Sequence, residues 1–181
     1  LLSIALCTFS CNKEKDMYNH KPNNQLTPKY RLNCNNPFEQ LGALHNTCLE
    51  NIFDLSPTSS PSISYVCSLS KSEVLNHTTS NDEEDIVNGF TTTHLSNARS
   101  VGKAIVSRDE NTVRQYYSQA ETDLLFEVYN ASTASNLTLS ESLNIIKAWE
   151  CSIIDNTELS DQSKNKLLVF GSVFRNNIDY W

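Results

Sequence analysis

Asn36-Pro37-Phe38-Glu39 opens the stretch whose reading decides the fold. An Asn side chain suits a helix N-cap, Pro is tolerated at the first helical position, and an acid in the first turn favours the helix dipole. Behind these signals Phe38, Leu41, Leu44, His45, Cys48, Leu49 and Ile52 recur at helical spacing. The spacing predicts a helix from Asn36 to the neighbourhood of Asp54, stopped by Ser56-Pro57.

Further helix signals follow downstream. Ile63 to His77 reads as a weaker helix and Asn76 to Asp85 as a polar, acidic loop. Ile86 to Val106 is ambiguous: Thr91-Thr92-Thr93 disfavours helix locally, while Leu95, Ala98, Val101 and Ile105 support one after it. Ser107-Arg108-Asp109-Glu110 fits a capping box, predicting a helix with Val113, Tyr116, Tyr117, Ala120, Leu124 and Val128 on one side. After a loop over Asn130 to Asn136, Thr138-Leu139-Ser140-Glu141 forms a second box. It leads a helix carrying Leu143, Ile145, Ile146, Trp149, Ile153 and Ile154. Leu159-Ser160-Asp161 starts the last helix, with Leu167, Phe170, Val173, Phe174, Ile178 and Trp181 inward. Only 4 glycines and no clear alternating runs argue against a sheet with tight hairpins. The expectation is an all-α domain, a compact bundle of about five or six helices.

Upstream of that domain the chain changes character. Leu1 to Ser10 is mostly apolar and uncharged, whereas Asn12-Lys13-Glu14-Lys15-Asp16 is charged and the next twenty residues stay polar. Ten residues are too few for a membrane-spanning helix, which needs roughly 20, and they suit the apolar core of an export signal. With no initiator Met or basic n-region in view, the sequence is expected to start inside that signal. Thr8-Phe9-Ser10-Cys11 resembles a bacterial lipobox, in which the Cys sulfur is lipidated and becomes the new N-terminus; Thr8 departs from the usual aliphatic residue. The charged residues after Cys11 are similar to the tether of surface-exported lipoproteins in Bacteroidota. The expected organisation is therefore a signal remnant over 1–10, a lipidated Cys11 with flexible tether over 11–35, and the helical domain over 36–181. Two or more acyl chains anchor a protein stably, so Cys11 alone supplies the membrane partner. The competing arrangement buries Leu1 to Cys11 as the first element of a soluble, cytoplasmic domain.

Charge and cysteine narrow the partners. A net charge of -7 argues against nucleic acid and anionic lipid surfaces. Of the 6 Cys, Cys34, Cys48, Cys67 and Cys151 fall in the tether and domain. None has C-x-x-C spacing, and four allow three full pairings. Cys48 is expected to pack as a small hydrophobe.

The chemistry-bearing candidates are polar groups in apolar stripes. At about 100° per residue, His45 lies between Ile52 and Phe38, Glu150 between Ile146 and Leu143, and Asn177 between Val173 and Phe170. Glu127 falls nearer the edge of its own stripe. A buried ionised carboxylate without a partner is strongly unfavourable, so Glu150 must be paired, protonated or open to a cleft. One outcome is a buried hydrogen-bond network of His45, Glu150, Arg175 and Asn177 that sets helix register. The other is a pocket in which His45 and Glu150, with Glu127, serve as acid/base groups or ligands. No H-x-x-x-H or H-E-x-x-H spacing exists and no glycine-rich phosphate loop is possible, so no metal site or cofactor is predicted.

Asn36-Pro37-Phe38, Gly42, His45-Asn46, and Ser172-Val173-Phe174-Arg175 ahead of a terminal Tyr180-Trp181 together resemble a group of uncharacterised Bacteroidota lipoproteins. That group carries N-P-aromatic and G-x-x-H-N early and S-V-x-R near a terminal Y-W. Asn177 stands where that pattern has Ser. The resemblance implies localisation at the bacterial outer membrane, possible surface exposure, and no catalytic residue. The functional expectation is an envelope-anchored lipoprotein with a non-catalytic binding or interaction role. The alternative is an envelope hydrolase or metal-dependent enzyme using His45 and Glu150.

Overall fold

A computed structural model of the chain describes residues 33, 35–46, 62–76 and 81–178. Cys11, Cys34 and Cys48, the predicted export signal, most of the tether, the second half of the first predicted helix and the terminal Tyr180-Trp181 lie outside the described residues. What is described is all-α, with no strand among the described residues.

Helix α1 is described over residues 39–46. Asn36 sets its start: its side-chain oxygen accepts the Phe38 N–H at 2.9 Å, and its carbonyl accepts the Glu39 N–H at 3.1 Å. Helix α2 spans Ile63–Leu75, with the Ser62 hydroxyl accepting the Tyr65 N–H. Helix α3, Asn81–Asn88, occupies part of the stretch expected to be loop. Its acidic residues cluster at the N-terminal end, where the helix dipole favours them, and this offsets their low apolar content. Helix α4 is Thr92–Ser107, and the threonine run that obscured it is its beginning: Thr91 is the extended N-cap and Thr92 the first helical residue.

The predicted capping box at Ser107 is not one. Ser107 ends α4, and Arg108 turns the chain through the left-handed region at φ 59°. Asp109 is the cap of a single turn, α5 (Glu110–Val113), accepting the Thr112 N–H and hydroxyl. The long helix expected from Ser107 to Val128 is thus broken. Its second part is α6, Gln119–Ser132, opened by a capping box of Ser118 and Glu121. Tyr116 and Ala120, read as inward, are exposed, while Leu125 and Phe126 are buried. Helix α7 (Leu139–Asp155) starts at the Thr138–Glu141 box, and α8 (Asp161–Asn177) at the Ser160 cap.

Helix α8 is the centre of the molecule. It packs on α7 and α6; α7 packs on α6; α4 joins α6 to α5 and α2; and α2 carries α3. Every residue from Leu167 to Ile178 is buried. One side of α8 is large and apolar, with Phe170, Val173 and Phe174 in the main core beside Ile146, Trp149 and Leu125. A helix buried all round must find partners for its polar side as well, and that side carries Gly171, Ser172, Arg175, Asn176 and Asn177. A smaller core of Cys67, Val87, Phe90 and Leu95 lies under α2 and α3. Cys67 and Cys151 are free thiols. No helix among the described residues is long and apolar enough to cross a membrane.

Candidate functional site

The polar side of α8 meets residues 33–46 and α7 in a seam built around Arg175. The Arg175 side chain is fully buried. Its Nε donates to Glu150 Oε2 at 3.1 Å and its Nη2 reaches Glu150 Oε1 at 3.4 Å. The guanidinium also donates to both carboxylate oxygens of Glu39, through Nη1 at 3.3 Å and through Nη2. A planar fork of five N–H donors spans two carboxylates in a way that a lysine ammonium does not.

Glu150 is 0% exposed. Besides Arg175, it accepts the Asn33 amide at 2.6 Å and the Asn36 amide at 2.8 Å. Burial pushes its pKa above the ordinary carboxylate value, and the Arg175 charge and the two amides hold it back. The Asn36 amide nitrogen also donates to the Leu168 carbonyl at 2.9 Å, so one Asn caps α1 and ties it to both α7 and α8.

Helix α1 lies close against α8 beyond this point. The Ser172 hydroxyl accepts the Gly42 N–H at 3.1 Å and donates to the Glu39 carbonyl at 3.3 Å. The Asn46 amide donates to the Asn176 carbonyl at 2.9 Å, and Asn177 approaches His45 Nδ1 at 2.8 Å. A Cβ on Gly42 would stand 2.5 Å from both the carbonyl oxygen and the hydroxyl of Ser172, so a side chain there forces the backbones apart. Gly42→Ala is expected to cost about 1–3 kcal/mol of stability by overpacking, read from the urea midpoint at unchanged m. A shift below about 0.5 kcal/mol, the range of ordinary surface changes, would show that α1 tolerates the separation.

His45, Glu150, Arg175 and Asn177 therefore occupy one seam. Arg175 meets Glu150, and Asn177 meets His45. Glu127 does not belong: it is exposed on α6, because Leu125, Phe126 and Val128 take the inward positions of a helix that begins later than expected. Asn33, Glu39, Ser172 and Asn176 were not singled out. Asn33 fell in the stretch read as tether, Glu39 was explained by the helix dipole, and Ser172 and Asn176 sit where periodicity alone gives no sign of burial. The two terminal motifs held a clue to them. Asn36, Gly42, His45, Asn46, Ser172 and Arg175 all fall in the seam.

Chemically the seam is a closed set of donors and acceptors. His45 is 2% exposed. Among the described residues no group of three or more His, Cys, Asp or Glu side chains is placed to hold a metal ion. Compared with protein-family models, with curated proteins and with solved structures, the chain matches none.

Proposed function

We propose that the chain is the helical body of a bacterial envelope lipoprotein, held to the outer membrane through lipid on Cys11, with a binding or interaction role. The observation that favours interaction over catalysis is the burial of the acid/base candidates. General acid/base work needs a side chain within hydrogen-bond reach of substrate. Glu150 already accepts from Asn33, Asn36 and Arg175 with no exposed surface. The same engagement favours a structural role, in which a satisfied buried network fixes how α1, α7 and α8 register.

The address is supported by the sequence: an uncharged apolar run ends at Cys11 and a charged tether follows. Metabolic labelling with a fatty acid tests it in cells expressing the protein with its complete signal. Wild type is expected to carry label and to fractionate with membranes, and Cys11→Ala to lose both. Equal labelling of the two would remove the anchor from this reading. The role is tested separately by metal analysis of the purified protein. Stoichiometric metal lost on His45→Gln substitution would favour the hydrolase or metal-dependent enzyme over an interaction module.

A further inference from the structure

The hydrogen-bond roles around His45 are fixed by its neighbours. The Asn177 amide nitrogen donates one hydrogen to the Val173 carbonyl at 2.8 Å, which identifies that end of the amide as nitrogen. The same nitrogen is 2.8 Å from His45 Nδ1. A ring nitrogen facing an N–H must accept, so this contact requires a neutral imidazole with its proton on Nε2. A proton arriving on Nδ1 would oppose the Asn177 N–H. The Asn46 carbonyl oxygen is 3.5 Å from Nδ1, a long contact for a replacement bond. The charged groups of the packed elements are Glu39 on α1, Arg175 on α8 and Glu150 on α7. They are bonded to one another and carry one net negative charge when ionised. That charge draws protons towards the seam, but these contacts give imidazolium no acceptor.

We propose that His45 is a pH-sensitive latch, holding the 39–46 helix on α8 at neutral pH and releasing it in mild acid. The latched state excludes a proton from Nδ1. In the released state the imidazole meets water and titrates as an ordinary histidine, at about 6.5. The sign follows from linkage. The released form binds the extra proton, so the latch is intact above that pH and weakens as pH falls. The ratio of released to latched molecules rises about tenfold for each further unit of acidity. Release would free Phe38 and Leu41, which pack against the main core, and would open the polar side of α8.

The test is hydrogen exchange on the full chain, following the Gly42 amide, which bonds across the seam to Ser172. Between about pH 7.5 and pH 5.5 its protection factor, corrected for intrinsic exchange, is expected to fall about tenfold in wild type. Amides in the middle of α7 serve as the unchanged reference. In His45→Gln the side-chain carbonyl accepts from Asn177 and does not titrate, so the fall is expected to shrink to less than about twofold, the residue of a lost one-proton linkage. Equal falls in both proteins, or no fall in wild type, would overturn the latch. A second measurement covers a variant that fails to fold. In the wild-type nitrogen spectrum, Nδ1 of His45 should carry no proton at neutral pH and should titrate together with the loss of Gly42 protection. A protonated Nδ1 at neutral pH overturns the proposal. Neither measurement depends on the lipid anchor or on the identity of a partner.

Discussion

Arg175→Ala is expected to lower the unfolding free energy at neutral pH by about 3–5 kcal/mol, the cost of leaving buried charge without its counterion. Two carboxylates lose their shared cation at once. Glu39 is partly exposed and can recover some hydration, whereas Glu150 has no exposed surface. The amides of Asn33 and Asn36 still donate to Glu150, so its ionised form keeps hydrogen bonds but loses the opposing charge. Arg175→Lys is expected to fall between wild type and the alanine variant, because one ammonium does not reproduce two bidentate contacts. Urea unfolding monitored by circular dichroism would read both. A loss below about 1 kcal/mol for Arg175→Ala, the scale of exposed ion pairs, would show that the seam contributes little to stability.

How far such a seam is legible in sequence depends on the range of the signal. Caps are local and were readable: Thr138 with Glu141 and Ser160 before Asp161 open α7 and α8 as their spacing implies. Ser107 with Glu110 has the same spacing and fails, because S-x-x-E does not distinguish the start of one helix from the last turn of another. Arg108 in a left-handed conformation decides between them, and a non-glycine residue there gives no compositional warning. Periodicity placed Glu150 and Asn177 inside, since a single polar residue in an apolar stripe is conspicuous. It was blind to Ser172 and Asn176, whose side of α8 looks solvated until α1 covers it. The partners of Glu150 were least accessible of all. Asn33 and Asn36 lie 117 and 114 residues away, and nothing in a tether-like, Asn-rich stretch marks which amide turns inward.

Phe170→Ala is expected to cost about 3–5 kcal/mol as well, by a different mechanism that pH separates from the first. Phe170 faces the apolar side of α8. Its ring meets Trp149 edge-on, with centroids 6.4 Å apart, and lies 5.3 Å from Phe174. Truncation removes those contacts and leaves a cavity among buried neighbours that can relax only in part. No proton binds or leaves, so the loss relative to wild type should be the same at neutral pH and in mild acid. Arg175→Ala should behave otherwise. Without the guanidinium that holds it back, the Glu150 pKa rises further above its ordinary value. A raised carboxylate favours the folded state below the unfolded-state pKa and penalises it as pH climbs through the folded-state value. The arginine variant should therefore recover part of its deficit as pH falls, while the phenylalanine variant recovers none. Parallel pH dependences in the two variants would mean that Glu150 is already neutral in the native protein. In that case Arg175 would be acting on Glu150 as a hydrogen-bonding and packing group, with Glu39 as its only charged partner in the seam.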